Sequence, residues 1–522
     1  MAAIITDQLR ILNAKNFVST ATSSVNSYYS FVGLPNATSY SSTWNANPPS
    51  PKDSFDQEND YWDTMVALKK ITTSDIRRMC SKYTWTSGVT YDMYRGDISR
   101  TNIAKPSGAT SLSASKYYVV NEDFKVYICL QNGTNPENTS GRPSLDQPTF
   151  TDLEPKAAGN SGDGYIWKYL YTIKPTEITK FDSTNFIPVP DDWETSTENA
   201  PVRDNASSSG QLKIVTIINR GSGIGTANRT YTGVPINGDG SGAEATIVIN
   251  NDAKVESVDI SKGGTGYTYG TLDLVSGGVP TGTTAPVFNV IIPPQGGHGA
   301  DIYRELCSSN VLIYSRIEND AENPDFITGN QIARIGIVEN PQAFDSTSNL
   351  ELSKASALYA LKLTGAGYTT ATFNTDGEFT QTIGVGSTAV GRVASYDQTT
   401  GVLKYWQDKS LVGFNSNGTL RTDPTYGFTL NRFTANPTSG GNVNIASNES
   451  TLGIDTSFGS TGSPGISTVI NNRTYYLGQS FVQGVSNPEV TKYSGNIIYV
   501  DNRPSITRSS NQREDIKVIL QF

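Results

Sequence analysis

Apolar and polar positions along the chain alternate mostly with period two, interrupted every few residues by Gly, Pro, Asn or Asp, and helical spacing is confined to its start. Leu9, Leu12 and Phe17 recur near helical spacing between Thr6 and Phe17, with Thr6 or Asp7 as cap, which predicts a docked first helix. After Pro48-Pro49-Ser50-Pro51, the run Ser54-Phe55-Asp56-Gln57 opens a second predicted helix with Tyr61, Met65 and Leu68 on one face. Beyond Trp85 the period becomes two. Tyr117–Val120, a turn at Asn121-Glu122-Asp123 and Lys125–Leu130 read as a hairpin, closed by Asn132-Gly133. Gly162-Asp163-Gly164 then leads into a strand with aromatic residues at Tyr165, Trp167, Tyr169 and Tyr171. Such a stripe suits core or subunit-interface packing better than stacking on a sugar or base.

From about Asn205 to Gly282 the chain turns rich in Gly, Ser, Thr and Val, and repeats itself. Val215–Gly223 resembles Val258–Gly266, with Gly221 and Gly223 matched to Gly264 and Gly266. Two copies predict one small β-module, since a solenoid needs more. A second such stretch, from about Ser348 to Leu477, contains Leu363-Thr-Gly-Ala-Gly-Tyr368 and reads as a further β-domain. Core-like strands are expected at Val311–Ser315 and Ile332–Val338 between them. The chain closes with Asn496–Val500, a predicted turn at Asp501-Asn502-Arg503-Pro504, and an alternating strand to Phe522.

Composition sharpens this into a mainly β (α+β), multidomain chain. Its 522 residues allow roughly three or four structural units. Charged residues make up 17%, against a typical share of about a quarter, and Ser, Thr, Asn and Gly take their place. The 40 basic and 49 acidic residues leave a net charge of −9 with no dense basic run, so nucleic acid is not an expected partner. Asp7 and Arg10 interrupt the start where a secretory peptide needs apolar residues, and no window is apolar enough to span a bilayer, so a soluble, unsecreted chain without membrane insertion is expected. Cys80, Cys129 and Cys307 suit buried reduced thiols, which makes Asn36, Asn132 and Asn138 turn residues and not glycosylation sites.

Candidate chemistry is sparse. The acids Asp53, Asp56, Glu58 and Asp60 could hold a cation, but carboxylates in a first helical turn are already favoured by the helix dipole. The one histidine, His298, lacks neighbouring zinc ligands or a nucleophile and reads as a loop or packing residue. Gly221–Gly225 and Gly238–Gly242 are followed by strand-like sequence and not by a helix N-terminus, so tight turns are expected in place of a phosphate cradle. Asp191 and Asp192 are adjacent acids of the kind that arise by chance in an acidic chain. No catalytic, cofactor or metal site is expected.

Gly162–Pro175, Phe186-Ile-Pro-Val-Pro190, Arg334–Pro341, Ser494–Pro504 and Glu514–Phe522 together resemble a known family, the baseplate wedge subunit of T-even-type contractile-tailed bacteriophages, often called gene product eight. The similarity covers 1–204, 284–347 and 478–522. The two Gly-rich stretches, 205–283 and 348–477, look most like insertions in the enlarged subunits of cyanobacterial myoviruses (cyanophages). The resemblance implies an antiparallel β-sandwich core with a few flanking helices. It also implies a non-enzymatic homodimer contacting other baseplate wedge proteins, assembled in the host cytoplasm and carried in the virion's tail baseplate. The matched positions Gly162, Asp163, Gly164, Tyr165, Trp167, Asn502, Arg503 and Pro504 would then be turn, core or interface residues. A second expectation is a module binding host surface glycan, carried by the insertions and their tyrosines Tyr267, Tyr269 and Tyr368. An enzymatic reading, such as a polysaccharide hydrolase, finds no supporting constellation.

Overall fold

The computed structural model describes residues 5–35, 42–208, 211–318, 331–408, 431–438, 443–445, 452–509 and 513–522; Asn36 lies outside them. The protein is mainly β, 41% strand and 11% helix, with several antiparallel sheets and six α-helices among the described residues. Two compact units form: Met1–Val18, Arg77–Leu312 and Ile519–Phe522 make the first, and Ser19–Ile76 with Ile313–Val518 the second.

In the first unit the hairpin Tyr118–Val120 and Lys125–Asn132 is extended by Tyr165–Thr172 into a three-stranded sheet. Around it lie the buried Tyr91, Tyr117, Tyr127, Trp167, Tyr171 and Trp193. The aromatic strand does not alternate throughout. Register shifts at Val126/Tyr127 and Cys129/Gln131 let Trp167, Lys168, Leu170 and Tyr171 all face inward while Tyr169 is half-buried. The Gly-rich segment has its own core, built on the strand order Val255–Thr265, Ser241–Ile249, Thr230–Gly238, Gly270–Leu272. Its repeat is also a conformational repeat. Gly221 and Gly264 have φ of +67° and +61°, and Gly223 and Gly266 +64° and +79°, values an L side chain rarely adopts.

The second unit holds a five-stranded sheet in the order Lys354–Ser356, Met65–Lys70, Tyr28–Gly33, Gln331–Glu339, Asn496–Thr507. A further sheet is built around Glu378–Gly384, Ser387–Asp397, Val402–Trp406 and Tyr359–Thr364, over Leu361, Phe379, Leu403 and Tyr405. Gly465–Ile470 and Arg473–Phe481 form a separate two-stranded ribbon.

Three local expectations are corrected. The first helix, Asp7–Ala21, buries Ile11, Ala14 and Ala21 and leaves Leu9 and Leu12 exposed, so its inward face is not the one the leucine spacing marked. The helix expected after Pro51, Phe55–Thr64, is capped by Ser54 and stops at Met65, whose extended backbone starts the strand Met65–Lys70; Met65 and Leu68 are core residues of that strand. Asp501–Pro504 is not a turn but the middle of the strand Asn496–Thr507. There the register runs from Arg334↔Asn502 to Ile332↔Ile506, so a bulge absorbs the extra residues. Pro504 lacks an N–H, and a bulge on an edge strand is where a sheet tolerates it.

Candidate functional site

Gly162-Asp163-Gly164 is a tight entry into the aromatic strand. Asp163 accepts from Leu145 N (2.9 Å) and Tyr165 N (3.0 Å), tying two loops to one carboxylate. Gly162 and Gly164 have positive φ, and a Cβ on Gly164 would lie 2.8 Å from Gly133 Cα, so that crossing requires glycine. Tyr165 stacks on Trp167 at 5.3 Å, and its hydroxyl donates to Arg142 O (2.7 Å) and accepts from Tyr91 N (2.9 Å). The Asp163 carboxylate and the Tyr165 hydroxyl are thus both spent on the chain's own backbone.

In the second unit Asn502 and Arg503 adjoin a buried cation. Arg334, 1% exposed, donates Nε to Asn502 Oδ1 (2.9 Å) and Nη1 to Asp60 O (3.2 Å) and the Thr64 hydroxyl. Its guanidinium lies 4.7 Å from the Tyr61 ring centre and 5.8 Å from that of Trp44. Burial pulls its pKa down to about 10. Trp44 Nε1 donates to Arg503 O (2.9 Å), and Ser505 N donates to Asn45 Oδ1 (2.8 Å), so the short helix Ser42–Ala46 satisfies this sheet edge in place of a strand. The Arg503 side chain and Pro504 are exposed. Sequence reasoning missed Arg334 as a site; a lone cation inside the apolar run Ile332–Val338 was the available signal.

The remaining candidates are also internal. His298 is buried, its Nδ1 2.5 Å from Glu305 Oε1 and its ring 4.8 Å from that of Tyr94, while Glu305 Oε2 accepts from Gly299 N. Asp191 pairs with Arg77 (3.0 Å), which also holds Glu177 (2.8 Å). Burial pushes the Cys80 thiol up to about 12 and that of Cys307 to about 11, which keeps both protonated and unreactive at neutral pH. Among the described residues no group of three or more His, Cys, Asp or Glu side chains is arranged to hold a metal ion, and no helix is long and apolar enough to cross a membrane. Asp53 and Glu58 therefore form no such group with Asp60 there; the Asp56 side chain is outside the described set.

One acidic cluster carries a pH signature. Arg392 faces Glu378 (2.9 Å), Asp408 (3.6 Å) and Asp376 (3.9 Å). Burial, against the opposing pull of Arg392 and with smaller help from Asp408 and Glu378, raises Asp376 from 3.8 to about 7. A carboxyl whose pKa is higher folded than unfolded favours folding at low pH, and this contribution is lost as pH rises from about 4 to 7. Asp376→Asn should therefore melt higher than the wild type at pH 8, with the gap shrinking toward pH 5. A gap independent of pH in paired thermal melts would refute this assignment.

The fold defines a mainly β, multidomain protein. No protein-family model matches the chain, and no curated protein shows significant similarity to it.

Proposed function

We propose that this chain is a structural, non-enzymatic component of a contractile-tail baseplate wedge, acting as a homodimer and through contacts with other wedge subunits. One observation carries the reading: the ordered matching segments, from Gly162–Pro175 to Glu514–Phe522, hold residues that the structure spends on turns, a stacked core and a sheet edge. Such residues are needed by a protein that works through its shape and contacts. The reading is also supported by apolar side chains left in solvent. Ile466, Val469 and Tyr476 are 54%, 66% and 44% exposed on the two-stranded ribbon, and Ile498 and Ile506 are exposed on the edge strand Asn496–Thr507. The end of the ribbon is anchored by Leu477 and Phe481 against Ala360 and Val402, and exposed apolar clusters such as those beyond it commonly mark protein contacts. Pairing of Ser467 with Tyr476 and Val469 with Thr474 puts Val469 and Tyr476 on one face.

The test is assembly. Co-expressed with its neighbouring wedge subunits, the chain is expected to elute as a dimer inside a larger complex, and virions lacking it should have no intact baseplate. Intact, infectious particles without it would end the proposal. Val469→Asp combined with Tyr476→Asp should abolish incorporation into the complex. Since both positions are exposed, chain stability should change by no more than about 0.5 kcal/mol for each substitution.

A further inference from the structure

Within the first unit a cleft of about 430 Å³ opens between the Gly-rich module and the loop Tyr94–Asp97, inside the roughly 300–1,000 Å³ typical of ligand clefts. Arg95, Asp97, Thr268, Tyr269, Asn289 and Ile292 are among its walls. A second cavity of about 130 Å³ shares Arg95 and Asn289 as walls, so the two adjoin and lengthen the groove.

The two tyrosines flanking Thr268 have opposite fates. Tyr267 is buried, its hydroxyl donating to Ile236 O (2.8 Å) and accepting from Ala243 N (3.2 Å). Tyr269 is 59% exposed, yet its backbone is fixed. Asp239 accepts from Thr268 N (2.9 Å), Thr268 Oγ1 (2.5 Å) and Tyr269 N (3.4 Å), and the Tyr269 carbonyl lies so close to Gly238 that a Cβ there would stand 2.2 Å away. A large aromatic ring held in solvent on an ordered turn offers a binding face at small entropic cost. Tyr368, the third tyrosine expected to serve a glycan, is half-buried beneath a lysine 5.4 Å from its ring centre and is not a wall of this groove.

The polar walls are similarly set. Arg95 Nε donates to Asp97 Oδ1 (3.0 Å) and Nη2 to Asn102 O (3.3 Å), while Asp97 Oδ2 accepts from Asn102 Nδ2 (2.7 Å). The guanidinium charge is thus met by a carboxylate at the cleft wall, which disfavours an anionic ligand and leaves planar donors and acceptors side by side. The Asn289 carboxamide has no hydrogen-bond partner among the described residues, so it retains both a donor and an acceptor for a ligand. An apolar ring face beside fixed, planar, charge-balanced polar groups matches a pyranose, which has apolar C–H faces and a rim of hydroxyls.

We infer that this groove binds a neutral oligosaccharide, with Tyr269 stacking on a sugar ring and Arg95, Asp97 and Asn289 reading its hydroxyls. This goes beyond the assembly reading and stands or falls separately from it. The full chain is titrated with maltohexaose, cellohexaose and chitohexaose, followed by saturation-transfer NMR and calorimetry, with circular dichroism to confirm folding. At least one should bind. Tyr269→Ala should weaken it tenfold or more, which is about 1.4 kcal/mol, whereas Tyr269→Trp should retain it. Asn289→Ala should also weaken binding; Asp97→Asn serves if that variant misfolds. Tyr475→Ala, on the ribbon, should bind as wild type. Failure of all three sugars, equal binding by Tyr269→Ala, or displacement from the groove by an unrelated peptide digest would overturn the proposal.

Discussion

Trp167→Ala is expected to destabilise the first unit by about 3–5 kcal/mol, the usual cost of emptying a large aromatic site in a packed core. Trp167 is fully buried, stacked on Tyr165 at 5.3 Å and edge-on to Tyr91 at 5.9 Å. Its removal would take a partner from both rings, and with Tyr165 displaced the hydroxyl that receives Tyr91 N and reaches Arg142 O would lose its place. Trp167→Phe should cost less, because it keeps an aromatic ring in the site and leaves a smaller cavity. The indole Nε1 is buried with no hydrogen-bond partner among the described residues, so deleting it with its ring breaks no hydrogen bond. Guanidinium denaturation of the full chain, followed by fluorescence, distinguishes these outcomes. Equal losses for Ala and Phe would mean that packing volume is not what holds Trp167.

Arg334→Ala should also be severe in the second unit, because each buried acceptor that loses its donor costs about 1–3 kcal/mol. Asn502 Oδ1, Asp60 O and the Thr64 hydroxyl would each lose a donor, and the Tyr61 and Trp44 rings would face a void. Arg334→Lys is the informative variant. Lysine keeps the charge but presents a single ammonium in place of a planar fork, so it cannot serve the three acceptors from one position. It should recover only part of the loss. Full recovery by lysine would show that charge alone, and not the fork, is required. Gly33 lies opposite Arg334 in the register, and a Cβ there would come 3.4 Å from Arg334 Cβ, so the neighbouring strand leaves room for this side chain.

Much of the fold was legible where local periodicity and turn chemistry agree. The hairpin Tyr118–Val120 with Lys125–Asn132, the strands Asn310–Glu318 and Gln331–Glu339, and the closing strand Arg513–Gln521 lie where strands were expected. The matched glycines at 221/264 and 223/266 share a backbone conformation, because a left-handed turn leaves a residue-type signature. The strand Tyr28–Gly33 was missed. All six of its residues are buried, so Tyr-Tyr-Ser-Phe-Val-Gly shows no alternation to read. Ser30 hides in that strand by hydrogen-bonding Ser315 (2.7 Å), a partner almost three hundred residues away. The groove at Tyr269 was half legible. Its tyrosine was singled out, but Arg95, Asp97 and Asn289 were not, since residues so far apart in sequence meet only when the module has folded.

By itself the sequence determined a β-rich, turn-rich chain and the places where its glycines bend the backbone. These follow from interactions among residues within a few positions of one another. The tertiary structure alone decided which side chains are inside: Ile11 and Ala14 over Leu9 and Leu12, Met65 in a strand, and Asp501–Pro504 carried along a bulged sheet edge. Burial depends on which distant surface arrives opposite a residue, and no local pattern encodes that partner.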